Sequence, residues 1–253
     1  ETIKHAVTVA RVLRQRPKGI FIEKPLSHGL AGLAQIRSAA KRQGTVLFVG
    51  YNLQFFKPLL KLKEIIKKKV AGEVRYMRVS VGQNLRVWRE GDYRTNYSAD
   101  AKAGGGAVLD LIHDLNYPAW LIAEPLLFIA GCAGTVMLPI DAEDIAESIF
   151  QSPSGVVVSV HQDYLQYPGR RYCEIVGTEG TLTWEWSLKE SSTIRIDTPA
   201  KNRTIRIRED RNRMYEDEVK WFMRKVAGGK GYTNLDEAVA DVRNAQKIKK
   251  HSL

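Results

Sequence analysis

Two polar side chains near the middle of the chain could do proton chemistry. Asp110 and His113 follow the run Gly104-Gly105-Gly106, and their spacing places them on neighbouring positions of one face if a single helix runs through them. A histidine with a carboxylate in reach can move protons near neutral pH. The alternative is structural, with Asp110 favouring the dipole of a helix N-terminus and His113 packed in the core. The motif alone leaves both interpretations open.

Lys24 could supply a positive charge to the same chemistry. It lies in Glu23-Lys24-Pro25, at the end of an apolar run typical of a buried parallel strand. Ligands of open α/β sheets bind outside the carboxyl ends of the strands, and a lysine ammonium offers three donors there. A lone lysine at a strand end is more commonly a surface residue. Because Pro25 restricts Lys24 to extended backbone, it fixes where the side chain starts, and this favours a functional role.

The polar stretch 83–106 supplies candidate substrate-binding residues. It shows no periodicity, and loops of this length are usually functional or mobile. We expect Trp88 and Tyr93 to stack on a sugar ring, and Arg89 and Arg94 to pair with a carboxylate or phosphate. A basic surface loop with aromatic residues packed beneath it is the equal alternative.

The first 50 residues predict a doubly wound α/β unit. Hydrophobic spacing indicates helices at 2–14 and 27–43, and strands at 19–23 and 45–49. We expect Ser27 to cap the second helix, whose inward side carries Leu30, Leu33, Ala34, Ile36 and Ala40.

The rest of the chain predicts an α+β domain. Helices are indicated at 58–69, 107–123, 215–226 and 235–250, the last capped near Asn234, and a strand at 73–81. Further strands are predicted at 126–137, 145–151, 156–165, 171–177, 181–186, 193–197 and 203–208. Turn signals between them indicate a mostly antiparallel sheet.

Five segments taken together resemble the Gfo/Idh/MocA family of oxidoreductases. In chain order they are Glu23-Lys24-Pro25-Leu26-Ser27, Gly50-Tyr51-Asn52-Leu53-Gln54-Phe55 with Pro58, Gly72-Glu73-Val74, the run 104–113 with Asn116-Tyr117, and Gly177-Thr178-Glu179-Gly180. The resemblance implies an oxidoreductase that uses NAD or NADP and transfers a hydride to or from a carbinol carbon of a sugar, cyclitol or sugar derivative.

The resemblance also implies a fold and a division of the chain. Residues 1–54 would be the C-terminal part of a Rossmann-type dinucleotide-binding domain, and residues 55–253 a mostly antiparallel, open-sheet domain for substrate binding and oligomerisation. The Gly-x-Gly-x-x-Gly fingerprint that binds the cofactor phosphates does not occur in this sequence. In the family it precedes the segment that opens this sequence, so we expect an upstream part of the nucleotide-binding domain to be missing.

Roles for individual residues follow from the resemblance as expectations. Lys24 would lie beside the nicotinamide and the reacting carbon, His113 would be the acid/base on the substrate hydroxyl, and Asp110 would orient or assist it. The expected cofactor-binding residues are Glu23, Lys24, Pro25 and Asn52. A homo-oligomer formed through the open sheet face is also expected.

Composition and charge argue against a nucleic-acid-binding protein, a metalloprotein and a membrane protein. The formal charge is +11, but its basic residues are spread along the chain without a nucleic-acid-binding motif, so we expect no nucleic-acid partner. Cys132 and Cys173 form no ligand-like spacing, which predicts no metal site and favours a cytoplasmic protein. Glu124 and Pro125 interrupt the apolar stretch 117–140, so we expect no membrane span. A non-catalytic sugar- or nucleotide-binding regulator, or an inactive fragment, are the alternatives.

Overall fold

Helices and strands alternate at the start of the chain, as predicted. The computed structural model describes residues 2–88, 91–188, 191–229 and 231–253. Its first elements are α1 (His5–Leu13), β1 (Gly19–Glu23), α2 (Leu33–Gln43) and β2 (Val46–Gly50). β1 and β2 pair in parallel with Glu23 opposite Gly50, so both strands end at the same edge. Thr233 extends this small sheet by a parallel bridge to Leu47.

The predicted start of the second helix was wrong. α2 begins at Leu33 after Gly32, whose φ of +77° suits glycine and ends the preceding turns. Ser27 is buried and its hydroxyl accepts a hydrogen bond from the Gly29 amide, so it caps no helix. Leu33, Ile36 and Ala40 are buried as predicted, whereas Leu30, which precedes the helix, and Ala34, which lies off that face, are exposed.

The remaining elements build a second, larger sheet with helices on it. In chain order they are α3 (Lys57–Lys67), β3 (Val74–Gly82), α4 (Leu85–Trp88), α5 (Ala107–Asp110), α6 (His113–Ile122), β4 (Leu127–Gly134), β5 (Ile145–Gln151), β6 (Val157–Asp163), β7 (Arg170–Gly177), β8 (Thr181–Trp186), β9 (Ser191–Asp197), β10 (Asn202–Arg208), α7 (Asn212–Ala227) and α8 (Leu235–Lys249). A 3₁₀ turn, Asn52–Phe55, follows β2.

The eight-stranded sheet is mostly antiparallel, and the predicted α/β plus α+β fold class is confirmed. Its order is β10-β9-β8-β7-β3-β6-β5-β4, and of the pairings in the described strands that between β3 and β6 is parallel. One face is covered by helices, with Met77, Val79 and Val81 of β3 buried against them. The other face, which carries Tyr76 and Arg78, has no layer on it in the described chain.

The helix predicted over 107–123 is broken in the middle. α5 ends at Asp110, Leu111 leaves helical geometry with φ −99° and ψ +25°, and α6 starts at His113. Two remote side chains donate to carbonyls at the break. Lys24 Nζ donates to the Asp110 oxygen at 2.6 Å, and Gln162 Nε2 donates at 2.9 Å to the Leu111 oxygen, which also accepts from the Asp114 amide at 3.0 Å. Asp110 and His113 therefore do not share one helix face, contrary to the prediction.

The C-terminal elements return to the small sheet. α7 packs on β2 and on the 52–55 turn, where Phe48 lies 5.0 Å from Trp221 between ring centroids. Asn234 stands at the N-cap position of α8, but its side chain bridges the N–H and C=O of Val49 instead of capping the helix, which corrects the predicted cap. Among the described residues, no helix is long and apolar enough to cross a membrane.

Candidate functional site

A cavity opens where the carboxyl end of β2 meets α5, α6 and α7, and we call it the site cavity. Five of the predicted residues line it: Lys24, Asn52, Trp88, Asp110 and His113. Sequence reasoning missed several others, namely Gln83, Arg171, Trp186, Arg211, Met214 and Tyr215. Residues from strands, loops and helices far apart in sequence thus share one cavity, at the edge where ligands of α/β sheets bind.

Asp110 is a buried carboxylate fixed by hydroxyl groups. Its Oδ1 accepts a hydrogen bond from Tyr97 at 2.6 Å, and its Oδ2 accepts from Ser98 at 2.6 Å and from Tyr164 at 2.8 Å. Burial opposes ionisation, but the Lys24 ammonium and these hydroxyl donors outweigh it, so the pKa of Asp110 lies below its ordinary value. Asp110 is therefore an ionised anchor for the loop and for Lys24.

His113 is a buried imidazole that stays neutral. It is 8% exposed, and within the described ranges its Nδ1 is fully buried without a hydrogen-bond partner. Burial first, and then the positive charges of Lys24 and Arg171, hold the pKa of His113 well below its ordinary value. A neutral imidazole beside a cavity can accept a proton at neutral pH.

A buried ion pair joins Asp114, the residue after His113, to Arg171 of β7. Arg171 Nε donates to both carboxylate oxygens of Asp114, at 3.0 and 3.1 Å, and its Nη2 donates to Oδ2 at 2.9 Å. Burial raises the pKa of Asp114, with Arg171 opposing the rise. The one sequence signal was an arginine at a strand position whose neighbours at 173 and 175 face the core.

The predicted substrate-binding residues divide into two groups. Trp88 lines the site cavity, and its ring lies 6.0 Å from that of Tyr164. Tyr93 packs beside Trp88 against a separate apolar cluster, and Arg94 is exposed and paired with Asp92 at 2.7 Å. Neither Tyr93 nor Arg94 is among the described residues that line the cavity. Arg89 lies outside the described residues.

The predicted cofactor-binding residues lie at the carboxyl ends of β1 and β2. Glu23 ends β1 with an exposed side chain, and Pro25 is buried, with its carbonyl 2.8 Å from His5 Nδ1. Asn52 is 7% exposed, and its Oδ1 is buried without a partner in the described chain. A buried acceptor left unpaired costs about 1–3 kcal/mol, so this atom suits a hydrogen-bond donor on a ligand.

The described residues form neither a metal-ligand cluster nor a disulfide. Within the described ranges, no group of three or more His, Cys, Asp or Glu side chains could hold a metal ion. Cys132 and Cys173 are both free thiols. Burial raises the pKa of the Cys173 thiol, so this thiol is unreactive near neutral pH.

Comparisons with known proteins agree with this fold. Residues 59–183 match the family model of the GFO/IDH/MocA C-terminal domain. The chain is 25% identical over 224 residues to the myo-inositol 2-dehydrogenase of Thermotoga maritima, an alignment that covers 84% of this chain and 63% of that protein. The chain thus spans less than two thirds of the length of this curated relative.

Solved structures resemble nearly the whole chain. An oxidoreductase domain protein from Kribbella flavida superposes with a TM-score of 0.85 at 16% identity, covering 98% of this chain and 75% of the other. A 3-ketoreductase from Actinomadura kijaniata, solved with NADP and TDP-benzene, has a TM-score of 0.85 at 14% identity, covering 99% and 76%. At these identities the likeness establishes the fold.

Proposed function

Since the chain belongs to the Gfo/Idh/MocA family, we propose that it forms part of an oxidoreductase that uses NAD or NADP. The enzyme would transfer a hydride between the nicotinamide and a carbinol carbon of a sugar, cyclitol or sugar derivative. One observation carries the proposal: the Lys24 side chain and the neutral, buried imidazole of His113 line the same cavity. A cyclitol dehydrogenase and an NADP-bound ketoreductase among the similar proteins support it.

His113 is the proposed acid/base. Because burial and two nearby cations keep the imidazole neutral, it can take the proton of a substrate hydroxyl. Lys24 would donate a hydrogen bond to the reacting oxygen, and its position is fixed by the carbonyl of Asp110. When bound, the nicotinamide supplies the hydride acceptor or donor. General acid–base catalysis of this kind contributes roughly 10²- to 10⁴-fold.

The residues at the strand ends fit the nicotinamide half of the cofactor. We propose Glu23, Lys24, Pro25 and Asn52 as its contacts, and the orphaned Oδ1 of Asn52 supports a donor group there. Trp88 is the member of the predicted substrate set that its place in the cavity supports. Arg89, Tyr93 and Arg94 stay in the proposal as outer contacts of a larger substrate.

The domain boundaries, the binding partners and the cellular location of the chain are also proposals. Residues 1–54 would complete a dinucleotide-binding domain, and residues 55–253 would bind substrate and other copies of the chain through the open sheet face. No nucleic-acid partner is proposed. Two free thiols support a reducing, cytoplasmic location.

Turnover of the full-length protein tests the catalytic proposal. With a panel of cyclitols, aldoses and ketoses and either NAD⁺ or NADP⁺, we expect a cofactor-dependent absorbance change. Lys24→Met and His113→Gln should each lower kcat by roughly 10²-fold or more while nucleotide binding is retained. Unchanged turnover in both variants would contradict the assigned roles, and nucleotide binding without any turnover would favour a regulatory relative.

A further inference from the structure

A second unpaired acceptor lies beside the predicted cofactor-binding residues. Glu218 is 3% exposed, and its Oε1 is fully buried without a hydrogen-bond partner in the described part of the chain. It belongs to α7, which packs on β2 and on the 52–55 turn that starts with Asn52. Glu218 lies one turn after Met214, which lines the site cavity, so both residues occupy the same side of α7.

Among the described residues, Glu23 is the charged group that acts on the Glu218 carboxyl. β2 and the 52–55 turn contain no titratable side chain, and β1 contributes Glu23, which is another carboxylate. Burial, and then the charge of Glu23, raise the pKa of Glu218 to about 8, so it is mostly protonated at neutral pH. A protonated carboxyl group both donates and accepts one hydrogen bond.

Such a group destabilises the folded protein unless something pairs with it. Buried polar groups in native proteins are almost always hydrogen-bonded, and a buried carboxyl group is replaced by an apolar side chain of similar volume at little or no cost to stability. Phe222, one turn further along α7, packs with Phe48 in an apolar cluster, so an apolar residue would suit position 218 well. Glu218 Oε1 thus has no partner among the described residues, and a ligand can supply one.

The chemistry of Asn52 and Glu218 indicates which group of a ligand they would bind. Asn52 lines the site cavity and presents a carbonyl oxygen, while Glu218, one turn from the cavity residue Met214 and close to Glu23, adds a carboxyl group. Three oxygen-bearing side chains would repel a phosphate but would receive the O–H groups of a vicinal diol. We propose that Glu218 and Asn52 bind the two hydroxyl groups of the nicotinamide ribose. This inference rests on the proposed function of the site.

A stability measurement and a binding measurement together test the role of Glu218. In the full-length protein, Glu218→Leu should raise the Tm of the ligand-free form, because it removes an unpaired buried polar group. The same change should weaken binding of NADH or NADPH, followed by quenching of tryptophan fluorescence, at least tenfold. Glu218→Gln keeps a donor and an acceptor and should retain most of the affinity. The control is Glu216→Gln, an exposed position on the same helix, which should change neither quantity.

The outcomes separate this inference from the proposed function. A higher Tm with at least tenfold weaker binding supports the ribose contact. Unchanged affinity in Glu218→Leu would overturn it, and so would a lower Tm, which would indicate that Glu218 stabilises the fold itself. If the unaltered protein binds neither NADH nor NADPH, the proposed function fails, and the inference fails with it.

Discussion

At the scale of single residues, burial and a neighbouring charge together set the protonation of His113. Burial makes the largest contribution to its lowered pKa, and the Lys24 ammonium is the next contribution. Removing that ammonium should therefore raise the pKa of His113 part of the way back to its ordinary value. We expect the Lys24→Met variant to show this rise when the imidazole is titrated by NMR, with the resonance assigned from His113→Gln.

The sign of this effect has a consequence for pH dependence. Because the folded-state pKa of His113 is depressed, acid protonates it in the unfolded chain first, and stability falls as the pH drops below its ordinary value. Lys24→Met should reduce this acid-side loss. Lys41→Met, at an exposed position on α2, is the control and should leave the His113 titration unchanged. A His113 pKa that stays constant in Lys24→Met would show that burial alone sets it.

The buried ion pair of Asp114 and Arg171 makes a second prediction at this scale. Arg171→Met leaves the Asp114 carboxylate buried without its partner, which should cost about 3–5 kcal/mol of unfolding free energy. The double variant Arg171→Met with Asp114→Leu removes both charges and should recover most of that loss. Urea unfolding of the single and double variants measures the difference. A double variant as unstable as the single one would mean that packing of Arg171 matters more than pairing.

The individual residues of the site were only partly predictable from the sequence. Lys24 and His113 stand in local motifs, so their spacing and their neighbours along the chain are enough to mark them. Arg171 and Tyr164 were not predicted, because their partners Asp114 and Asp110 lie 57 and 54 residues away. Nothing local identifies a contact that only the folded sheet creates.

At the scale of elements, side chains from distant segments decide where helices begin and end. The break between α5 and α6 had no signal in the sequence around Leu111, because the remote residues Lys24 and Gln162 donate to carbonyls at the break. Some strands were easier to predict. β5 and β8 alternate between apolar and polar residues or run apolar between clear turn signals, and both strands have the predicted bounds. Local periodicity thus predicts elements well where no remote donor competes for the backbone.

The glycine run before α5 makes a prediction about the loop that holds Asp110. A Cβ at Gly105 would collide with the carbonyl oxygens of Tyr97 and Ser98, the residues whose hydroxyls bind Asp110. Gly105→Ala should therefore cost about 1–3 kcal/mol in thermal or urea unfolding. Gly228→Ala is the matched control, because its Cβ would meet only ordinary contacts at 3.4 Å or more. Equal stability of the two variants would show that the loop yields without cost.

A histidine on the open face of the large sheet makes a pH prediction. His161 in β6 lies between two carboxylates, with Nε2 2.9 Å from Asp163 and Nδ1 2.5 Å from Glu147. These two hydrogen bonds raise the pKa of His161 to about 9. Its stabilising contribution is thus complete below the ordinary histidine pKa and is lost as the pH rises through about 9.

Thermal unfolding across this pH range checks the contribution of His161. In the unaltered protein, Tm should fall between about pH 6.5 and about pH 9.5. His161→Gln should have the lower Tm at the acid end of the range and a flatter profile. Equal slopes for the two proteins would indicate that other groups cause the alkaline loss.

At the scale of the whole molecule, the two faces of the large sheet differ in what covers them. Helices cover one face, while the other carries a mixture of apolar and polar side chains that includes Tyr76, Arg78, Ile149 and Tyr172. The resemblance implied an open sheet face, and alternation along β3 and β5 agrees with it, because this alternation marks one buried and one open side. Alternation cannot show what contacts the open side, since a chain that meets another copy of itself has the same pattern as one that meets water.

The proposed homo-oligomer makes the last prediction, at the open face. Ile149 of β5 is 44% exposed on this mixed surface, and a mixed apolar and polar composition is usual for subunit interfaces. We expect the unaltered protein to sediment as a dimer or larger species, and Ile149→Arg to raise its dissociation constant at least tenfold, because each copy would then bury an unpaired cation. Val219→Arg, at a similarly exposed position on α7, should leave the assembly intact. A monomer at all concentrations would refute the interface, whereas an oligomer insensitive to Ile149→Arg would place the contact on another surface.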